Sequence, residues 1–178
     1  MQKSFLQSKV GRLCASAMCL ALCLVLPFLT GQIPHIGSAL CPMHIPVLLA
    51  GFICGPWWAM LTGIMAPILR HFLFTMPPLV TAIAMSFELA TYGFICGLMQ
   101  NMTPKSTKGT YAALITAMIA GRIVWGIAMV LITGVTGSAF SWSLFLAGAF
   151  TNAIPGIILQ LVLIPVLVSA LRKANYLE

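Results

Sequence analysis

The chain has 178 residues, of which 61% are hydrophobic and 6% charged. A soluble domain carries about 25% charged residues, so this composition excludes a water-facing globule and with it a soluble enzyme. The formal net charge of +7 makes no nucleic-acid surface, because the basic residues fall into three small groups separated by long uncharged stretches: Lys3, Lys9 and Arg12; Lys105 and Lys108; Arg172 and Lys173.

The expected fold is therefore an all-α membrane protein. A spanning helix needs roughly 20 mainly apolar residues, and the chain has room for six. The first is predicted over residues 13–29. Lys3, Lys9 and Arg12 precede it as in a secretory signal, but the residues that follow, Thr30 to Pro34, hold no small-x-small cleavage site, so it reads as a retained helix.

After an uncharged loop over 30–42, an apolar region runs from Ile45 to Phe74. About 30 helical residues would cover about 45 Å, too much for one ordinary span. Gly55-Pro56 breaks it, and Trp57 and Trp58 suit a membrane interface. The second and third helices are placed at 39–54 and 57–74. Pro77 and Pro78 open a fourth over 78–102. A polar loop with Lys105 and Lys108 leads to a fifth over 110–133, and a loop over 134–141 to a sixth over 142–171. Six spans put all seven grouped basic residues on one side, and five do not. The positive-inside rule then makes both termini cytoplasmic, in a single transmembrane domain over 1–178.

Three charges lie within spans: Arg70, Glu88 and Arg122. Charge at membrane depth is costly, and such residues usually face a protein interior or a wet cavity. Glu88 and Arg122 are predicted at similar depths and are expected to pair, either to join two helices or to floor a site. Arg70 has two readings: snorkelling to the outer interface, or contact with an anionic solute. Asn152 lies three residues before Pro155, where an amide lines a cavity or bonds a neighbouring helix. His44 is placed near the outer start of the second helix. Three histidines in unrelated elements give no metal-ligand spacing, so no metal and no cofactor is expected. No nucleotide-binding or hydrolase motif occurs. Ala17 and Ala21 form a small-x-x-x-small step of the kind that lets helices approach closely.

The stretch Met43-His44-Ile45-Pro46-Val47-Leu48-Leu49-Ala50-Gly51, followed by Gly55-Pro56, resembles the substrate-binding S component of energy-coupling factor (ECF) transporters. Trp57 and Trp58 stand where a lysine or polar residue is expected. The resemblance implies a subunit of a bacterial plasma membrane that binds a vitamin or related micronutrient from outside. A transmembrane T component and two cytoplasmic ATPases would drive release inward. It further implies that Ala17 and Ala21 pack on the T component, and that the pocket lies under the first and last external loops and in the outer halves of helices four to six. Expected substrate-binding residues are Arg70, Asn152, His44, Glu88, Arg122 and Trp142. The embedded charges sum to +1, which favours an anion; pantothenate leads on that ground. Riboflavin is second, since Trp142 and Phe145 suit a flat ring. The competing reading is a proton-coupled small-solute transporter in which Glu88 titrates.

Overall fold

The computed structural model describes residues 8–29, 40–136, 154–174 and 176. Among them are six α-helices: α1 Lys9–Leu29, α2 His44–Cys54, α3 Pro56–Phe74, α4 Leu79–Met102, α5 Thr107–Thr136 and α6 Ile154–Lys173. Four are long and apolar enough to cross a membrane, namely α1, α4, α5 and α6. The expected span over 142–171 is described only from Ile154 onward.

α2 differs from its expected extent. It starts at His44 rather than near residue 39, and it has 11 residues, about 16 Å of helix. That is half of the roughly 30 Å hydrocarbon thickness. Cys41 just upstream has φ 46, a left-handed conformation that helical residues do not adopt. Pro46 falls in the first turn of α2, where its missing N–H breaks no helical bond. At the other end Gly55 turns the chain with φ 87, and Pro56 opens α3. A side chain at position 55 would be strained, so this turn requires glycine. The consequence for function is that His44, expected near the outer surface, stands in the interior.

α4 is the central helix and packs on α2, α3 and α5. Lipid tails are as apolar as leucine, so close packing rather than apolar burial holds membrane helices together. The α3/α4 seam meets that demand with small residues in antiparallel register. A Cβ added at Gly63 would lie 2.5 Å from the Leu89 carbonyl, one at Gly93 2.6 Å from the Ala59 carbonyl oxygen, and one at Gly97 2.6 Å from the Pro56 nitrogen. Gly51 brings α2 onto the same helix, against Gly93, Cys96 and Gly97. Tyr92, Leu48, Leu89, Leu114 and Ile164 fill the interior between these helices.

Polar links tie α1 to α3. The Ser16 and Thr62 hydroxyls are 2.7 Å apart, and Thr62 also donates to the Trp58 carbonyl at 2.9 Å. Further along, the Arg70 guanidinium donates to the Leu24 carbonyl at 2.6 Å. Pro27 lies inside α1 three residues further on, and its missing N–H takes the helical donor from the Cys23 carbonyl, one residue before Leu24. The guanidinium also lies over the rings of Phe28 and Phe74, at 5.2 and 5.4 Å from their centroids, and Arg70 is only 4% exposed. It joins the end of α1 that holds Pro27 to α3.

Candidate functional site

Three charged or ionisable side chains meet in the interior, one from each of three helices. Glu88 lies nine residues past the start of α4, about 14 Å along its axis. The short α2 delivers His44 to the same depth, and α5 brings Arg122. Arg122 Nη1 is 3.2 Å from Glu88 Oε1, and His44 Nε2 is 3.5 Å from the same oxygen. Glu88 is 2% exposed and His44 3%, while Arg122 is partly exposed, at 14%. The expected Glu88–Arg122 pair is present, and His44 joins it.

Tyr92 is the residue that sequence reasoning missed. It follows Glu88 by four positions, hence on the same face of α4 one turn on, and its hydroxyl addresses the same carboxylate. Its ring packs edge-on against His44, with centroids 5.2 Å apart. Gly121, beside Arg122, is what lets the ring lie there, since any Cβ at that position would collide with Tyr92 Cε1 and Cδ1. The i+4 spacing from a buried acid was the available signal. Cys41, upstream of α2, also contacts Arg122.

The cluster is not internally satisfied. His44 Nδ1 and Nε2, Glu88 Oε1 and Arg122 Nε are all buried without a hydrogen-bond partner. Of the two short approaches to Glu88 Oε1, that of Arg122 is an ion pair and that of His44 a polar contact at 3.5 Å. An unmet buried polar atom costs about 1–3 kcal/mol, and in native proteins such atoms call for a specific reason. Four gather at one spot inside the bundle.

The other expected site residues fall elsewhere. Arg70 is on α3 and bonded to α1. Asn152 and Trp142 lie outside the described residues. Ala17 and Ala21 are exposed on α1, on the side turned away from the bundle, with Leu13, Met18 and Val25 exposed around them.

A family described as "ECF transporter, substrate-specific component" matches residues 12–168, most of the chain. No curated protein and no solved structure matches it.

Proposed function

The chain belongs to the family of substrate-specific components of ECF transporters, a membrane substrate-binding subunit for micronutrient uptake and not an enzyme, and from that premise we propose that the His44–Glu88–Arg122 cluster is the floor of its substrate site. The carrying observation is the set of four unpartnered polar atoms at membrane depth. Asn152 and Trp142, both within the expected sixth span, are proposed to contribute as well, Asn152 by hydrogen-bonding the ligand and Trp142 by lining the site. Arg70 is left out of this site, because its guanidinium is committed to Leu24, Phe28 and Phe74. Without Arg70 the sum of embedded charges near the ligand is zero, from Glu88 and Arg122. The case for an anion is weaker by that much. Pantothenate offers an amide as well as its carboxylate, and riboflavin an uncharged ring imide; both stay within the proposed micronutrient class.

Proton carriage by Glu88 is the less favoured reading. A carrier carboxylate must be released from its partner in each cycle, whereas Glu88 has a cation at 3.2 Å and a histidine at 3.5 Å. Energy from an ATPase module fits better with a site that stays paired.

The exposed Ala17/Ala21 step is the proposed contact with the transmembrane T component, since only small side chains let two helix backbones close up. Ala17→Trp or Ala21→Trp is expected to abolish co-purification with the T component while ligand affinity stays within about twofold. Full uptake by either variant would move the interface elsewhere.

Both termini and the Lys105/Lys108 loop are proposed to face the cytoplasm, on the strength of the grouped basic residues. Three contacts support their sharing one end of the bundle: Arg12 approaches Gly55, Gly97 packs on Pro56, and Arg172 donates to the Gln100 side-chain oxygen at 3.2 Å. In a cysteine-free background, a cysteine introduced at position 137 should react with an impermeant maleimide from outside and one at position 106 should not; the reverse would invert the protein.

A further inference from the structure

We infer that Arg172, at the cytoplasmic end of the bundle, holds the phosphate of an anionic phospholipid of the inner leaflet. Arg172 stands in the last turn of α6, at the end of the inward stripe Ile164, Val168, Arg172, whose first two members are fully buried. It reaches Gln100 in the last turn of α4 and donates through Nη2 to the amide oxygen at 3.2 Å. A guanidinium is a donor only and stays charged, and the Nε–H of Arg172 is buried and meets no acceptor. The chain has little to offer it as a counter-ion. Of the 178 residues only Glu88 and Glu178 are acidic. Glu88 is paired with Arg122 and lies about 18 Å from Gln100 along α4. The C-termini of α4 and α6 end beside the guanidinium, and their partial negative charge favours a cation there. That accounts for an arginine at this place and still leaves its Nε–H unmet, and a buried donor without a partner calls for a specific reason.

The surroundings select a phosphate at headgroup level. Tyr176, four residues on and 41% exposed, is of a residue type that marks membrane interfaces. Arg172 itself is partly exposed and Lys173 beside it is exposed. The side chain need only turn outward to meet an anion, as long basic side chains do at the ends of spans. Lys105, on the turn after α4, and Lys108, in the first turn of α5, are exposed at the same end, so the local field is positive. The cytoplasmic leaflet carries anionic lipids that basic juxtamembrane residues attract, and a planar guanidinium matches the oxygens of a phosphate. The choice of leaflet follows from the proposed orientation of the chain.

The test uses the full-length protein in nanodiscs of phosphatidylcholine alone, or of equal parts phosphatidylcholine and phosphatidylglycerol. Both faces of the protein meet the lipid, so the outcome does not depend on orientation. With phosphatidylglycerol the melting temperature is expected to rise by about 3–8 °C, as a ligand of the folded state raises it. Native mass spectra should show phosphatidylglycerol retained on the chain. Arg172→Lys keeps the charge and removes the planar fork and Nε; it should lose at least half of the rise and the retained lipid. The double variant Lys105→Ala, Lys108→Ala should keep most of both. Equal melting in the two lipids with no lipid retained overturns the inference, and this arm needs no variant to fold. A rise that survives Arg172→Lys and vanishes in the double lysine variant overturns it in favour of diffuse attraction to a basic surface. An equal rise from inorganic phosphate added to phosphatidylcholine discs makes the guest a free anion and rejects the lipid. A Glu178→Gln variant that melts lower in both lipids by as much as Arg172→Lys gives the arginine an internal partner and rejects the lipid too. No lipid effect, together with loss of co-purification with the T component in Arg172→Lys, assigns this end to an acidic protein surface instead.

Discussion

Gly93→Leu is expected to leave no folded protein in the membrane. Gly93 sits where α4 crosses α3, and even a single Cβ there would come within 2.6 Å of the Ala59 carbonyl oxygen and 2.7 Å of its carbon. Those are backbone atoms in the middle of a helix, so no rotamer change relieves the clash. Overpacked cores usually lose about 1–3 kcal/mol because side chains give way; here the helices themselves must part. Parting them also pulls Gly51 and Gly97 from their contacts, since one face of α4 serves both α2 and α3. The loss is therefore expected to exceed that range. Size-exclusion profiles of a fluorescent fusion check this: the variant should give no monodisperse peak. Leu98→Phe, on an outward position of the same helix that is 37% exposed, should behave as wild type. A monodisperse Gly93→Leu protein would mean that the α3/α4 seam is looser than these distances require.

Arg122→Ala should be the most damaging single change in the polar interior. It leaves the Glu88 carboxylate buried with His44 at 3.5 Å and the Tyr92 hydroxyl as its polar neighbours. Breaking a buried ion pair by removing one partner costs about 3–5 kcal/mol, mainly because the other charge is stranded. For a chain of this size that corresponds to a fall in melting temperature of roughly 6–20 °C. Taking away both charges should be milder than taking one. The double variant Glu88→Gln, Arg122→Gln is expected to recover at least half of the loss, which a thermal-shift series on the two singles and the double would measure. Additive losses would show that the two residues do not depend on each other.

The sequence made some of this legible and hid the rest, for physical reasons. Long apolar runs bounded by Pro, Gly and basic residues are strong signals, and the six helices follow them, with α1, α3, α4 and α5 each close to its expected bounds. The Glu88–Arg122 pair was readable because an isolated buried acid needs a cation and depth along a helix is simple arithmetic. The contacts of Arg70 were not legible: no periodicity announces that its guanidinium takes the carbonyl of Leu24 on another helix. His44 was placed too near the surface because the left-handed backbone at Cys41 is a tertiary choice that shortens α2. Tyr92 was overlooked as one aromatic among many, although its i+4 relation to Glu88 was in plain view. Ala17 and Ala21 show the opposite case, a weak pattern whose outward orientation only the packed bundle reveals.

The central claim is that this chain captures a micronutrient and relies on an ATPase module for its uptake. Transport of the ligand that the purified protein binds, followed in proteoliposomes with and without its T component and ATPases, tests this most directly. Uptake should require ATP and all partner subunits, persist when an ionophore collapses the proton gradient, and disappear in the Ala17→Trp variant. Uptake by the chain alone that an ionophore abolishes would contradict the account and return Glu88 to the role of proton carrier.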